Sequence, residues 1–489
     1  MATTTKLETQ QLLIDGTWRD AESGATFDVR NPFDGETVSS SAAASRADAR
    51  AAVDAADRAF REWSTTAPGH RRELLGRAAD LLAERQEAIA ETMIQETGAT
   101  FGWGMFNCML AVGMLREAAA QAYGAIGEVI PSDIPGKLAM AVRAPAGVSV
   151  GIAPWNGPII LGTRAVATPL AFGNTVVLKA SELCPRTHAW IAGALVDAGM
   201  PAGVVNFVTN APEDAAGVVE ELIIHPRTRR VNFTGSTRVG RIIAEIGGRN
   251  LKRVLLELGG KAPFIVLADA DLDRAAAAAN FGAFMHQGQI CMSTERIIVD
   301  RKVAEPFAER LAERASKLKV GNPRDPETQV GPLINEAALQ RVTELVADAR
   351  LHGATVLAGG AAQGPCFEPT VLLGITDKMR VYGEESFGPL ASIVTVDGAE
   401  EAIRVANDTE YGLSAAIFSE NVPNALELAQ RIESGICHIN DSTVHDEPQM
   451  PFGGVKDSGW GRFGGRSAME EFTELRWITI QETARHYPI

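Results

Sequence analysis

The sequence predicts an α/β protein with two doubly wound α/β lobes and a small β flap. Three observations support this fold class. At 489 residues the chain is too long for one simple core. Two series of short buried strands alternate with helices, a pattern that forms parallel sheets through right-handed βαβ units. Two strand-like segments lie outside both series, and exposed strands of this kind favour pairing with another subunit.

The first half of the chain begins with helical periodicity, over Ser45–Trp63, Arg71–Thr97 and Gly104–Ala122. The first strand series follows, with predicted strands at Gly147–Ala153, Thr175–Lys179, Val204–Val208 and Val231–Thr234. Helical segments separate these strands, among them Pro185–Ala198 and Glu213–Ile224. This series predicts a cofactor lobe, with its ligand outside the carboxyl ends of the strands.

The second half repeats the alternation, which predicts a catalytic lobe. Its strands are expected at Phe264–Leu267, Arg296–Val299, Thr355–Ala358, Thr370–Leu373, Ser392–Val396, Ala415–Ser419 and His438–Asn440. A helix is expected over Asp271–Phe284. The two peripheral segments are Glu128–Pro145, with two short extended runs, and the terminal strand Glu471–Ile480.

Composition excludes several classes of function. The formal charge of -15 repels nucleic acid and anionic lipid, and no basic stripe is interleaved with aromatic residues. Five scattered cysteines without C-x-x-C spacing argue against a disulfide framework and a structural zinc site, so no metal is expected. The polar segment Met1–Gln11 does not resemble a signal peptide, and no apolar run reaches ~18 residues. We therefore expect a cytoplasmic protein.

Cys291 lies where the helical run Asp271–Phe284 gives way to a turn before the next strand. A lone cysteine is most often a small buried hydrophobe, and that alternative stays open for the residue taken alone. A turn of this kind exposes the side chain at the sheet edge, as a nucleophile requires. His286 raises the alternative of a Cys/His protease, which the local pattern does not support.

Three further segments suggest chemistry. Glu257 lies between leucines and before two glycines. It is a surface residue within an apolar run, a salt-bridged core group, or a general base whose pKa the apolar neighbours raise. Gly235 and Ser236 open a helix, whose N-terminal N–H groups suit a pyrophosphate, although a plain capped turn explains them equally well. Asn156 is either a turn residue or a donor to an oxyanion.

Together these segments resemble the aldehyde dehydrogenase superfamily over nearly the whole chain. Seven of its motifs occur in family order, at Pro154–Asn156, Lys179–Glu182, Gly235–Thr237, Leu256–Lys261, Phe284–Cys291, Glu384–Pro389 and Pro451–Lys456. The resemblance implies that the Cys291 thiolate attacks an aldehyde, with the Asn156 amide and the Cys291 N–H stabilising the oxyanion. Hydride transfer to the nicotinamide would leave a thioester, which water activated by Glu257 hydrolyses.

The resemblance also implies a cofactor, NAD, with NADP as the alternative. The expected cofactor-binding residues are Ile152, Pro154, Trp155, Lys179, Ser181, Glu182, Gly235, Ser236, Val239, Leu258, Glu385 and Phe387. Lys179 is also a candidate for the catalytic set, with Cys291, Glu257 and Asn156. A carboxylate at Glu182 would repel a 2'-phosphate, which favours NAD.

Within the superfamily the chain resembles bacterial aromatic aldehyde dehydrogenases acting on salicylaldehyde, vanillin or benzaldehyde, on the segments Phe284–Arg296 and Cys437–Gly454. It departs from the broader family at Gly157 and Arg164, which stand where many relatives have aromatic tunnel residues, and at Phe463, which replaces a glutamate. Lack of a side chain at Gly157 would admit a planar ring, while Arg164 would pair with a phenolate or hydroxyl or with the protein's own acids. The expected substrate residues are Gly157, Arg164, Met292 and Phe452.

Three alternatives remain open at this point. The first is a semialdehyde or aliphatic aldehyde dehydrogenase; with a semialdehyde, Arg164 would anchor the carboxylate of the substrate. A CoA-acylating relative would not need the general base Glu257, and a non-catalytic relative would not need an intact catalytic set.

The resemblance finally implies a domain division and an oligomer. A Rossmann-like NAD-binding domain is expected in residues 1–125 and 146–256, with 441–469 returning to it, and the catalytic domain in 257–440. Residues 126–145 and 470–489 would form oligomerisation strands of a homodimer or homotetramer.

Overall fold

Two separate sheets, of eight and seven strands, form the centres of two α/β lobes in the computed structural model, which describes residues 9–489. The predicted fold class is therefore confirmed. The part of the segment Met1–Gln11 before Thr9 lies outside the described residues, so the expectation about a signal peptide is not addressed. Within residues 9–489, no helix combines the length and apolar character required to cross a membrane.

The eight-stranded sheet contains all four strands of the first predicted series. Its strands in spatial order are Gly459–Trp460, Arg253–Glu257, Thr228–Thr234, Val148–Ile152, Thr175–Lys179, Val205–Val208, Leu12–Ile14 and Thr17–Arg19. The five from Arg253–Glu257 to Val205–Val208 are parallel. The chain runs outward from Val148–Ile152 in one direction and then from Thr228–Thr234 in the other. The switch point of the sheet therefore lies between these two strands, where such folds bind ligands.

The seven-stranded sheet contains all the strands of the second predicted series. In spatial order they are Thr355–Ala358, Thr370–Leu373, Leu390–Val396, Thr294–Asp300, Ala262–Val266, Ser414–Phe418 and Ile436–Ile439. All are parallel except the edge strand Thr355–Ala358, which pairs antiparallel with its neighbour. The strands Thr294–Asp300, Ala262–Val266 and Ser414–Phe418 are buried throughout, because helices cover both faces of a parallel sheet.

Helices pack on both sheets and account for most of the remaining chain. The α-helices are Arg46–Trp63, Pro68–Glu84, Gln86–Thr97, Phe101–Gln121, Pro158–Ala171, Pro185–Asp197, Ala215–Ile224, Thr237–Arg249, Leu272–Phe284, Ala304–Ser316, Glu336–Leu351, Arg380–Gly383, Ala399–Asn407, Val422–Ala429 and Gly465–Phe472. Short 3₁₀ turns occupy Pro212–Asp214, Met285–Gly288 and Lys456–Ser458.

Three helix boundaries correct the sequence prediction. The single helix expected over Arg71–Thr97 is two helices, because Arg85 leaves the helical conformation at φ -99° and ψ 7°. The next helix begins at Phe101 rather than at Gly104, since the Thr100 hydroxyl accepts a hydrogen bond from the Trp103 N–H and caps it. The helix expected from Glu213 begins as a 3₁₀ turn and becomes α-helical at Ala215.

The two peripheral segments form one antiparallel sheet. Thr473–Gln481 pairs with Lys137–Pro145 along nine residues, and Glu128–Ile130 pairs with the other edge of Lys137–Pro145. The terminal strand starts at Thr473, because Glu471 and Phe472 belong to the preceding helix. Two small sheets complete the fold, formed by Thr9–Gln10, Thr26–Arg30 and Thr37–Ala42, and by Ala362–Gln363 with Cys366–Phe367. The proposed domain limits stay a prediction.

Candidate active site

The switch point of the eight-stranded sheet opens into a cleft of about 370 Å³. Three loops that follow neighbouring strands reach it, and they carry Pro154–Asn156, Gly235–Ser236 and Glu257–Gly259. Cys291 and the loop Glu385–Phe387 approach from the other lobe and line the same cleft. Residues that are far apart in the sequence therefore meet at one edge, because parallel strands all end there.

A tight turn places Cys291 on the cleft. After the helix Leu272–Phe284 the backbone takes positive φ values at His286 (49°), Gln287 (58°) and Gly288 (69°). Non-glycine residues with such angles are uncommon and occur where surrounding structure enforces them. Cys291 is half-buried, as is Cys437, whereas Cys108, Cys184 and Cys366 are buried. Gly260 permits this approach, since a Cβ there would lie 2.5 Å from the Cys291 carbonyl oxygen.

Glu257 ends the strand Arg253–Glu257, which the sequence did not predict as a strand. Its side chain is fully buried, and neither carboxylate oxygen has a hydrogen-bond partner among the described residues. This burial raises the pKa of Glu257 from 4.5 to about 7. A carboxyl group with a pKa near neutrality exchanges protons readily at physiological pH, which suits a general base.

The Cys291 thiol and the Glu257 carboxyl influence each other. Burial raises the pKa of the Cys291 thiol, and the nearby Glu257 carboxylate raises it further. The Arg164 guanidinium acts in the opposite direction on both groups. Because each negative charge disfavours the other, a Cys291 thiolate beside a Glu257 carboxylate is less favourable than either charge alone.

Asn156 lies between the cleft and a second cavity and is almost buried. Its side-chain amide donates a hydrogen bond of 3.0 Å to the Gln289 carbonyl, two residues before Cys291. An amide carries two N–H groups, so one remains to donate to an oxyanion. The Trp103 indole N–H donates to the Asn156 carbonyl at 2.9 Å and fixes the loop.

The loop Glu385–Phe387 is held by a buried ion pair. Glu295 accepts hydrogen bonds from the Ser386 and Phe387 N–H groups, and Lys261 binds Glu295 at 2.6 Å. The Glu385 carboxylate accepts from the Gly260 N–H at 2.9 Å, and burial raises the pKa of Glu385 to about 7. Phe387 meets Trp155 edge-on, with ring centres 5.8 Å apart.

The residues expected to bind the cofactor fall into two groups. Seven line the cleft: Pro154, Trp155, Gly235, Ser236, Leu258, Glu385 and Phe387. The other five line neither cavity and lie at or beside the same edge: Ile152, Lys179, Ser181, Glu182 and Val239. Ile152 and Lys179 are paired in register at the ends of adjacent strands, and the Lys179 ammonium lies 3.4 Å from the Glu182 carboxylate. Burial lowers the pKa of Lys179.

The chemistry of this edge suits a dinucleotide. Ser236 caps the helix Thr237–Arg249, whose first turn contains no acidic residue, so its N–H groups and dipole favour an anionic group such as pyrophosphate. The buried Lys179 and the half-buried Glu182 offer a donor and an acceptor to ribose hydroxyls. No cluster of three metal-binding side chains occurs in the region from Thr9 onward.

A second, smaller cavity lies on the other side of Cys291. It is lined by all four expected substrate residues, Gly157, Arg164, Met292 and Phe452. A Cβ at Gly157 would come no closer than 3.5 Å to Leu161, so packing does not demand glycine there and its absence of a side chain widens the cavity. Arg164 forms a buried ion pair with Asp446 and lies 4.2 Å from the centre of the Phe452 ring.

Several lining residues were not predicted. The helix Phe101–Gln121 contributes Trp103, Phe106 and Leu110 to the second cavity, and their spacing along one helix face was an available signal. Asp446 lies in an irregular polar loop that carried no such signal. His286 does not line the second cavity but stacks on Trp103, which does, and burial lowers the pKa of His286 to about 3. It has no hydrogen bond to Cys291, which disfavours the protease alternative.

The chain is similar to known proteins over nearly its whole length. A model of the aldehyde dehydrogenase family matches residues 18–478. A vanillin dehydrogenase of Pseudomonas sp. strain HR199 is 58% identical, covering 98% of this chain and 99% of that protein. An NAD(+) benzaldehyde dehydrogenase of Pseudomonas putida is 41% identical, covering 97% of both chains. The crystal structure of a salicylaldehyde dehydrogenase from Pseudomonas putida G7, complexed with salicylaldehyde, has a TM-score of 0.97 and 44% identity, covering 98% of this chain and 100% of that one.

Proposed function

The chain belongs to the aldehyde dehydrogenase family and is an NAD(P)-dependent oxidoreductase, and we propose that its substrate is an aromatic aldehyde. One observation of the site supports an aromatic substrate over a charged one. The cavity beside Cys291 has aromatic and aliphatic walls, and the cation that lines it, Arg164, is paired with Asp446. The vanillin and benzaldehyde dehydrogenases among the relatives agree with this choice.

Cys291 is the proposed nucleophile. Its sulfur adds to the aldehyde carbon and forms a thiohemiacetal, while the free N–H of the Asn156 amide and the Cys291 backbone N–H stabilise the oxyanion. When bound, NAD(P) would supply the hydride acceptor that oxidation of the thiohemiacetal to the thioester requires. Lys179, Glu182, Ser236, Glu385 and Phe387 are the residues proposed to hold it.

Glu257 is the proposed general base for thioester hydrolysis. Its carboxylate takes a proton from water as the water oxygen attacks the acyl carbon; the C–S bond then breaks and releases the carboxylic acid and the Cys291 thiolate. Neither Glu257 oxygen has a hydrogen-bond partner among residues 9–489, which supports this role because both oxygens remain available to water. A CoA-acylating enzyme would have no use for such a base, so its presence disfavours that alternative. The intact set of Cys291, Glu257 and Asn156 likewise disfavours a non-catalytic relative.

A semialdehyde carrying a carboxylate is the second candidate substrate. It would require a free cation in the cavity. Arg164 is not free, because the Asp446 carboxylate neutralises it and both side chains are buried, and His445, the other basic side chain in the wall, lies 3.1 Å from the Glu447 carboxylate. A second anion beside Asp446 would be repelled. We therefore favour the neutral aromatic ring.

NAD is the proposed cofactor in preference to NADP. Glu182 lies at the edge where the ribose would bind, and its carboxylate would repel a 2'-phosphate. Measuring kcat/KM with NAD and NADP for the native chain and for Glu182→Gln tests it; the variant should gain activity with NADP.

The β flap is the antiparallel sheet formed by the two peripheral segments. We propose that it joins subunits in a homodimer or homotetramer in the cytoplasm. Its strands Glu128–Ile130 and Thr473–Gln481 are free edges of the sheet, with exposed apolar residues such as Trp477. All five cysteines are free, which agrees with a reducing compartment.

A substrate screen tests the proposed function. Steady-state rates would be measured with substituted benzaldehydes, succinic semialdehyde and short aliphatic aldehydes, each with both cofactors and with CoA present or absent. The proposal expects the highest kcat/KM on a benzaldehyde and the free acid as product. A clear preference for the semialdehyde, or an acyl-CoA product, would contradict it.

A further inference from the structure

Asp446 is a buried carboxylate in the wall of the substrate cavity. It lies in the loop between the strand Ile436–Ile439 and the turn Lys456–Ser458, and only 6% of its side chain is exposed. The same cavity contains Cys291, so an aldehyde bound at the thiol has its ring within the space that Asp446 lines.

The hydrogen bonds of Asp446 are incomplete. Its Oδ2 atom accepts a hydrogen bond from the Arg164 guanidinium, whereas Oδ1 is buried and has no partner among residues 9–489. Buried carboxylate oxygens without a partner are uncommon in folded proteins and require a reason. A hydrogen-bond donor on the substrate would be the missing partner of Oδ1 and would explain why the oxygen is left free.

The surroundings of Asp446 define that donor. Most of the cavity wall is apolar, formed by side chains such as Phe106, Leu161 and Met292. An anionic substituent would be repelled by Asp446, and the nearest cation, Arg164, is already used. A neutral hydroxyl both fits and donates, and a ring with a methoxy group in its place offers no donor.

We propose that Asp446 Oδ1 accepts a hydrogen bond from a ring hydroxyl of the substrate, and so selects hydroxylated over unsubstituted aromatic aldehydes. This inference rests on the proposed function, because it presumes that the ring enters the cavity beside Cys291. Arg164 holds the carboxylate in place through its hydrogen bond to Oδ2 and opposes the rise in the pKa of Asp446 that burial causes. It is a positioning residue rather than a direct substrate contact.

The experiment compares substrates that differ only in the donor. kcat/KM would be measured for benzaldehyde, for 2-, 3- and 4-hydroxybenzaldehyde, and for the three corresponding methoxybenzaldehydes. A hydrogen bond to a buried carboxylate should make at least one hydroxy isomer better than its methoxy counterpart by about 10- to 100-fold. The isomer that shows the preference identifies the ring position that reaches Asp446.

Two variants test whether Asp446 causes the preference. The double variant Arg164→Met, Asp446→Leu removes the acceptor without leaving a buried charge unpaired, and such apolar replacements are commonly tolerated. It should lose the hydroxy-over-methoxy preference. Asp446→Asn, with a neutral and weaker acceptor, should reduce it. Phe106→Leu changes the cavity wall without changing its hydrogen bonding, and should alter both members of each pair alike.

The outcomes distinguish the role of Asp446 from the proposed oxidation of aromatic aldehydes. A preference that persists in the double variant, with the protein folded by thermal melting, overturns the role of Asp446 while leaving aromatic aldehyde oxidation intact. Absence of any preference in the native chain overturns it as well. If no benzaldehyde is oxidised, the proposed function itself fails, and the inference fails with it.

Discussion

Replacing Glu257 by Gln should separate the two halves of the reaction. The substitution keeps the size of the side chain and removes its ability to accept a proton. General-base catalysis typically contributes about 10²- to 10⁴-fold, so hydrolysis of the acyl-enzyme should slow by that factor. Formation of the acyl-enzyme on Cys291 should remain, because the nucleophile and the oxyanion donors are unchanged.

Rapid-mixing measurements of NADH absorbance test this prediction. The variant should release about one NADH per active site in a burst, followed by a much slower steady state, and the acyl-enzyme should be detectable by mass spectrometry. A variant without a burst would refute the assignment of Glu257 to hydrolysis. An unchanged steady-state rate would refute it too, since water would then need no base.

The pH dependence of hydrolysis follows from the same residue. Burial raises the pKa of Glu257 to about 7, so the base is mostly protonated below pH 7 and ionised above it. Hydrolysis by the native enzyme should therefore rise with pH through about 7 and then level off. The acyl-enzyme has no free Cys291 thiol, so this profile is independent of thiol ionisation. The Glu257→Gln variant should lack the rise.

The raised pKa also affects stability, with a definite sign. A carboxyl whose pKa is higher in the folded state favours folding below its unfolded pKa of 4.5, and this contribution is lost as pH rises through about 7. The shift corresponds to roughly 3 kcal/mol. The increase in Tm of Glu257→Gln over the native chain should be larger at pH 8.5 than at pH 5, as measured by thermal melting. Equal differences at both pH values would contradict the burial argument.

Three other predictions address the nucleophile, the oxyanion and the flap. Cys291→Ala should abolish aldehyde oxidation while NAD binding, measured by fluorescence titration, persists; retained turnover would place the nucleophile elsewhere. Asn156→Ala should lower kcat by about 10²- to 10³-fold through loss of an oxyanion donor, and a loss below tenfold would argue for a structural role. Trp477→Glu puts a charge on the exposed terminal strand and should lower the molar mass in light scattering; an unchanged mass would exclude this face from the subunit interface.

Much of the fold could be predicted because its signals are local. Apolar residues recur at different spacings in strands and in helices, so the two strand series and the helices between them can be recognised in short windows of sequence. The break at Arg85 was missed because neither proline nor glycine marks it. The strand Arg253–Glu257 was missed because its apolar residues precede a functional carboxylate and two glycines, which obscure the pattern.

The sequence by itself determined the fold class, the family and the candidate trio of Cys291, Glu257 and Asn156, because each lies in a short motif whose chemistry is local. Only the tertiary structure decided what Arg164 contacts. Its partner Asp446 is 282 residues away, in a loop without periodicity or motif. Contacts of that kind depend on how segments far apart in the chain pack together, which no short window of sequence encodes. Here they decide which polar groups of the cavity remain free to bind the substrate.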